Sequence, residues 1–362
     1  MKDRIAYDAR SGTIVKLYSN ESQSEYKTNT KEIDEMAKKK KILLSVDGGN
    51  KATKVYYEID GETVFKVEKS CIDIVENADD TYTHAGLVLA NDIAYNFNTS
   101  KTVIETSKEN KKHNPFHYGL VLKQLLGVSK ETGCTKFDLA ITTPLDGFNN
   151  LLDEIKSYYN NNKVFEIVDG DKKITIEIDH IIVRPEMVSA LNTIGAVIKE
   201  GVVCLLEIGG LNHQFLKLED FRTDLKDDSF IGEKGYNYIE ENLPQFMRNN
   251  GTKSYKDSDI MRYVETSLGK DEEKDTLIQK FFTEVYVPVL IEDLDKKSVS
   301  VEYDKIFLGG GTSERFKKFL IKGFKDNGAK SVKVIDNAIF ANAIGAYKKA
   351  KVDIAKLEKE NK

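Results

Sequence analysis

Cysteine is scarce in this chain. Its three copies, Cys71, Cys134 and Cys204, stand far apart in 362 residues. That excludes a disulfide framework and a cysteine-based metal site, and it suits a reducing cytoplasm. Cys204 lies inside an apolar run and reads as a small core residue. The five histidines (His84, His113, His117, His180 and His213) show no zinc-type spacing. Zinc chemistry and histidine catalysis are therefore not expected. No apolar run approaches the ~20 residues of a membrane span, and the opening MKDRIAYDAR has no apolar stretch of the signal-peptide kind. Neither a membrane span nor a leader is expected. The chain has no G-x-x-x-x-G-K-[ST], so a P-loop is absent. A basic excess is missing too: 54 Lys and Arg face 59 Asp and Glu, a net charge of -5. That argues against a dedicated nucleic-acid binder.

What is present is a balance of 40% hydrophobic and 31% charged residues, at a length that accommodates two compact domains. Residues 1–40 stand apart. SNESQSEYKTNTKE is polar and AKKKK, Ala37 to Lys41, is a charge run, so this part reads as a loosely packed arm in which RIAY and TIVKLY are short-strand candidates. From Lys41 the pattern is regular. ILLSVD is a buried strand, and KVYYEID and GETVFKVEKS form a hairpin about Asp60-Gly61. HYGLVLKQLLGVSKETG has helical spacing. FDLAITT is a strand stopped by Pro144, and FNNLLDEIKSYYNN is a helix. VFEIVDGDKKITIEI is a hairpin, IIVRP a separate strand, and a helix is expected from just after Pro185 to Glu200. The second half repeats the scheme. VVCLLEI and HQFLKLE are strands, YNYIEENLPQFM is a helix, and DEEKDTLIQKFFTEVYVPVLIEDL is one long helix with a kink at Pro288. KIFLGGG and SVKVID are strands, SERFKKFLIKGF is a helix, and a closing helix carries small residues on one face. Strand, glycine loop, hairpin and helices thus recur twice, which is α/β architecture with two similar halves.

Three apolar runs end in glycines: LLSVDGGNKATK (Leu43 to Lys54), VVCLLEIGGLNHQF (Val202 to Phe215) and KIFLGGGTSERF (Lys305 to Phe316). A buried strand that runs into a loop without side chains lets backbone N–H groups approach a phosphate. Around the first loop, Asp47 emerges at a strand end, Gly48 and Gly49 turn the chain, and Asn50, Lys51, Thr53 and Lys54 offer donors. In the second, Glu207 precedes Gly209, Gly210, Leu211 and Asn212. Two acids at two strand ends suit one Mg²⁺ held through its waters. Each loop also has a plainer reading, as a hairpin turn or a bulge, with its acid paired to a lysine.

The residues carry a resemblance. DGGNKATK is similar to the D-x-G-x-x-x-T-K phosphate-1 pattern of the actin, Hsp70 and sugar-kinase superfamily. EIGG stands where that superfamily has its phosphate-2 D-x-G-G, and LGGG before a helix resembles its adenosine motif, which assigns Gly309, Gly310, Gly311 and Thr312. NAIFANAIGAY resembles the C-terminal connecting helix. FDLAITTPL, IIVRPEMVSAL and IGEKGYNYI narrow the likeness to the ParM type of bacterial plasmid-segregation actins, over roughly residues 42 to 350. The last segment places Gly232, Glu233 and Lys234 near the nucleotide base. Glu186 matches the residue that positions the attacking water, and its plainer reading is an acid at a helix N-terminus. The second loop departs from the pattern: Glu207 replaces Asp, and Leu211-Asn212 replace threonines.

The resemblance implies an actin-like fold of two related mixed-sheet halves around a nucleotide cleft: an arm at 1–40, domain I at 41–200, domain II at 201–336, and a helix at 337–362 that returns to domain I. It implies a cytoplasmic Mg²⁺-dependent ATPase, with GTP as the alternative nucleotide. Glu186 and Glu207 would be catalytic, and Asp47 and Glu207 would face the metal. The partners implied are further copies of the chain, head to tail, and a DNA-bound adaptor of the ParR type, with no direct DNA contact. A small-molecule kinase and a nucleotide-holding pseudoenzyme are the competing readings.

Overall fold

The computed structural model describes residues 4–8, 13–17, 41–75, 87–100, 115–145, 148–170, 172–194, 201–220, 222–224, 227–251 and 255–360. The polar stretch 19–32, the basic run up to residue 40, and residues 195–200 of the expected helix lie outside them. The chain divides into two compact units, Met1–Asn192 with Asn342–Lys362, and Thr193–Ala341.

In the first unit, β1 (Arg4–Asp8) and β2 (Thr13–Leu17) pair antiparallel as a separate two-stranded sheet. Among the described residues the main sheet has nine strands. These are β3 (Lys41–Gly48), β4 (Ala52–Ile59), β5 (Glu62–Lys69), β6 (Asp73–Val75), β7 (Leu87–Ala90), β8 (Ile93–Asn96), β9 (Lys136–Thr143), β10 (Val164–Asp169) and β11 (Lys172–Pro185). Their order is β5-β4-β3-β9-β11-β10-β7-β8-β6. β3 pairs antiparallel with β4 and parallel with β9, and β9 pairs parallel with β11.

The period-2 alternation of the central strands sorts their side chains into two layers. Ile42, Leu44 and Val46 of β3 and Phe137, Leu139 and Ile141 of β9 join one core with α1 (Pro115–Thr132) and α2 (Phe148–Asn161). Leu43, Ala140 and Ile182 face the other way, against Ala346, Ala350 and Ile354 of the C-terminal helix α10 (Ala341–Glu360). Alanines on both sides let that helix lie close to the sheet. Ion pairs fasten it along its length: Lys351 to Glu58, Arg184 to Asp353, and Lys41 to Glu358.

Two expectations change here. KKITIEI and IIVRP are not two strands but one, β11, with a bulge between Ile178 and Ile181 that absorbs the polar Asp179-His180 pair. The helix after Pro185, α3, starts only at Val188 and runs to Ile194. Met187 intervenes with a positive φ of 58°, so Glu186 precedes the helix rather than opening it.

The second unit has β12 (Val202–Ile208), β13 (His213–Glu219), β14 (Ser229–Gly232), β15 (Lys305–Gly309) and β16 (Ser331–Val334), in the order β14-β13-β12-β15-β16. β12 pairs antiparallel with β13 and parallel with β15, β13 antiparallel with β14, and β15 parallel with β16. This antiparallel, antiparallel, parallel, parallel run is the same as β5-β4-β3-β9-β11 of the first unit. The similar halves expected from the sequence are therefore one five-strand pattern built twice. β12 is buried on both faces, as its unbroken VVCLL run requires.

Helices α4 (Tyr236–Asn250), α5 (Asp257–Thr266), α6 (Glu272–Phe281), α7 (Val287–Asp295), α8 (Gly310–Arg315) and α9 (Lys317–Asp326) complete the unit. The expected long helix over 271–294 forms as one continuous helical run, with a wider, five-residue turn at Phe282–Tyr286 joining α6 to α7. Pro288 cannot donate to the helical ladder, and the wide turn before it removes that demand. An aromatic cluster of Phe281, Phe282, Tyr286, Phe316 and Phe319 packs the turn in place. No helix among the described residues is long and apolar enough to cross a membrane.

Candidate functional site

In the first unit, strand register builds the loop. β3 ends Asp47-Gly48, and the antiparallel pairing sets Asp47 directly opposite Lys54 on β4. The Lys54 ammonium lies 3.3 Å from the Asp47 carboxylate. On the other side, the parallel pairing of Val46 with Ile141 brings Thr142 alongside, and its hydroxyl donates to Asp47 at 2.9 Å. Asp47 is only 3% exposed, so these partners stand where water would otherwise solvate the charge.

Ser70, just past β5, braces the loop itself. Its hydroxyl donates to the Gly49 carbonyl at 2.5 Å and its N–H to the Lys51 carbonyl at 3.1 Å. Thr53 is buried on β4 with its hydroxyl 2.9 Å from that of Ser70, so its place is in the support of the loop. Asn50 and Lys51 are half-buried at the turn. The Cε1 edge of the His117 ring, from α1, packs against Gly48, where any Cβ would strike it.

Glu186 follows β11 in the same unit. Its N–H donates to the Thr143 carbonyl at 2.6 Å, and its residue is 8% exposed. The left-handed Met187 is held by Asn342 of α10, whose side-chain oxygen accepts the Met187 N–H at 2.9 Å. Gly345 lies against the Ser189 carbonyl with no room for a Cβ. The ANAIG segment of α10 thus fixes the junction that carries Glu186.

The second unit builds its loop by other means. Glu207 is the penultimate residue of β12, as Asp47 is of β3, and its cross-strand neighbours are Gln214 and Gly309. Beyond it the loop is gripped by its backbone. Gly209 donates to the Asn212 carbonyl at 2.9 Å. The carbonyls of Gly209, Gly210 and Leu211 accept from the N–H groups of Tyr236, Asn237 and Gly235 at 2.9, 3.0 and 3.3 Å. Those donors open α4, where a helix leaves N–H groups unsatisfied.

A trans peptide points its N–H opposite to its C=O. With the carbonyls of 209, 210 and 211 turned toward α4, the N–H groups of Gly210, Leu211 and Asn212 all turn away from it. Among the described residues no hydrogen bond uses these three donors. Successive N–H groups converging on one side form an anion-binding nest.

The third glycine segment supports this loop. Gly310 has φ +85°, and a Cβ there would stand 2.5 Å from the Ile208 carbonyl. Thr312 donates its hydroxyl to the Gly209 carbonyl at 2.9 Å. Gly309 ends β15 beside Glu207, and Gly311 lies next to Ile339.

The turn at Gly232, Glu233 and Lys234 lies against the loop from another direction. Glu233 is exposed. Lys234 points to Asp293 of α7 at 3.1 Å, and Asp293 also takes Lys296 at 2.7 Å and the His213 ring at 3.2 Å. Burial pushes the fully enclosed His213 down to about 4, against the pull of Asp293. Lysine partners hold the Asp293 carboxyl below its ordinary range despite its burial.

Sequence reasoning missed Ser70, Thr142, Gly235, Tyr286 and Asp293. Two of them left a signal: Thr142 stands in FDLAITTPL, and Gly235 is the fifth residue of IGEKG, where a Cβ would stand 2.6 Å from the Asn212 nitrogen. One further cluster, Asp138, Asp179 and His180, has metal-ligand proximity. Lys41 already lies 3.0 Å from both of its carboxylates, which makes it an ion-pair cluster at the start of β3, the end remote from Asp47.

No protein-family model matches the sequence, and no curated protein matches it. Solved structures do. The apo ParM protein of pSK41 aligns with TM-score 0.62 at 14% identity, covering 88% of this chain and 99% of its own. Ta0583, an archaeal actin homologue, aligns with TM-score 0.60 at 16% identity over 86% and 99%, and has also been solved with ADP. AlfA from the B. subtilis plasmid pLS32, solved as a filament, aligns with TM-score 0.56 at 16% identity over 85% and 98%; its filament is also known with AMPPNP. At these identities the likeness establishes the fold, which is the actin-like two-domain fold.

Proposed function

We propose that this protein is a filament-forming ATPase of the ParM type, with GTP as the alternative nucleotide, and that its dynamic polymerisation segregates plasmid DNA. The observation that carries the reading is the doubled five-strand pattern with a glycine loop after an acid at the end of each central strand. Support comes also from the fold shared with AlfA, a filament, and with structures that hold ADP or AMPPNP.

The 47–54 loop and the 209–212 nest are the proposed phosphate sites, and the 309–312 segment and the 232–234 turn the proposed nucleoside side. Asp47 and Glu207, carboxylates at strand ends, suit a hard cation such as Mg²⁺ that keeps its waters. Held by these two carboxylates, Mg²⁺ would neutralise charge on phosphate oxygens. Glu186 orients the attacking water and takes its proton, from a position fixed by Thr143 and Asn342. The product of polymerisation is an open head-to-tail assembly of this chain, and a DNA-bound adaptor of the ParR type is the partner proposed at its ends.

Phosphate release and light scattering test this together. ATP, at micromolar protein, should raise scattering, and phosphate release should follow. Glu186→Gln should lower turnover by about 10²–10⁴-fold while nucleotide binding persists. Full turnover in that variant would remove Glu186 from the chemistry. Transfer of phosphate to a small acceptor instead of water would favour a kinase.

A further inference from the structure

We propose that Tyr286 and Asp293 are positioning residues for the backbone nest at 209–212. This rests on reading that loop as a phosphate site. Neither residue belongs to a glycine loop; both project from the segment that runs through the wide turn into α7.

One peptide unit links them to the nest. The Lys234 carbonyl accepts the Tyr286 hydroxyl at 2.8 Å. The N–H of the same peptide, on Gly235, donates to the Leu211 carbonyl. Tyr286 therefore holds one end of a peptide whose other end holds the nest. Its ring is fully buried among Phe281, Phe282 and Tyr238, so the hydroxyl has a fixed origin.

Asp293 secures the side chain of the same residue. It takes the Lys234 ammonium at 3.1 Å, and the ammonium also reaches the Val289 carbonyl at 3.4 Å. The same carboxylate lies 3.2 Å from the ring of His213, the residue after Asn212. Asp293 thus stands beside the loop's exit and secures the turn that clasps its carbonyls. Wide turns of this kind inside helices occur often at functional positions. On this account Lys234 acts on the loop, and its ammonium does not touch the nucleotide.

Amide exchange of Gly235, Tyr236 and Asn237, measured without nucleotide, reads the clasp directly. Tyr286→Phe removes one hydroxyl and keeps the ring; Asp293→Asn keeps the shape and removes the charge. Each should speed exchange at these three amides by about tenfold, with Leu205 and Leu206 unchanged. Unchanged exchange, or acceleration spread over the whole unit, overturns the proposal. The second readout is a cycle of Asp293→Asn and Lys234→Met on the KM for ATP. Each single change should raise KM about tenfold with kcat nearly constant, and the double should be no worse than either. Lys234→Arg should restore KM. Additive losses would mean that Lys234 contacts nucleotide directly, and would overturn the proposal. If the wild-type protein binds no nucleotide, the proposed function fails, and the exchange measurement alone decides whether these residues position the loop.

Discussion

Asp47 and Glu207 occupy the same place in two copies of one sheet pattern, yet the loops after them are held differently. In the first unit the bracing comes from side chains: Lys54 and Thr142 on the acid, Ser70 on the loop carbonyls, His117 against Gly48. In the second it comes chiefly from the main chain, with three loop carbonyls taken by the N–H groups that open α4, and one side chain, Thr312, shares the Gly209 carbonyl. Side-chain bracing ties geometry to residue identity. Backbone bracing does not. The second loop can therefore carry Glu207, Leu211 and Asn212 where relatives by resemblance have Asp and threonines, and still converge its N–H groups.

The contrast is broken most severely at Gly235. Its missing Cβ leaves room for the backbone at Leu211 and Asn212, which cannot step aside. Gly235→Ala should lose about 3 kcal/mol in urea unfolding, and truncating Asn212 should recover none of it. A loss below about 1 kcal/mol would mean that the backbone clasp is loose.

Acid sharpens the contrast next. His213 is buried and neutral, with its pKa lowered from 6.5 to about 4 and Asp293, Lys234 and Lys296 around it. Unfolding exposes a ring that takes a proton below pH 6.5. Its contribution is complete above that value and is lost as pH falls toward 4, about 3 kcal/mol in all. His213→Leu should flatten the stability profile of unit 2 in that window. An unchanged slope would mean that the ring titrates normally.

Gly48→Ala should act on the first loop by about 2 kcal/mol. Here the obstacle is a side chain, so Gly48→Ala with His117→Ala should be no less stable than His117→Ala alone. Strict additivity would place the clash elsewhere. The smallest effect is expected at Leu211. Leu211→Thr should shift the melting midpoint hardly at all, within about 0.5 kcal/mol, because the loop is gripped through its carbonyls. A larger loss would show that the side chain at 211 matters to the loop.

These differences also explain what could be read in the sequence. Strands with period-2 alternation and helices with clear apolar spacing were legible, and so was the doubling of the architecture. The boundary at Glu186 was not, because the left-handed Met187 depends on Asn342, 155 residues away. The irregularity in the long helix had a visible cause, Pro288, but its form as a wide turn depends on aromatic packing. In the first loop the motif is spelled out in side chains, and what was not legible is the role of its supports from distant strands, Thr142 of FDLAITTPL and Ser70 after β5. In the second the working groups are N–H donors, which every residue but proline carries, so their convergence leaves almost no mark in residue types.

The account's central claim is that these two differently braced loops serve one nucleotide-driven polymer. Electron micrographs of the purified protein at micromolar concentration, with ATP, with ADP and without nucleotide, test it most directly. Filaments with ATP that are sparse or absent in the other two samples are the predicted result. Dispersed particles in all three, under conditions where the protein binds ATP, would contradict it.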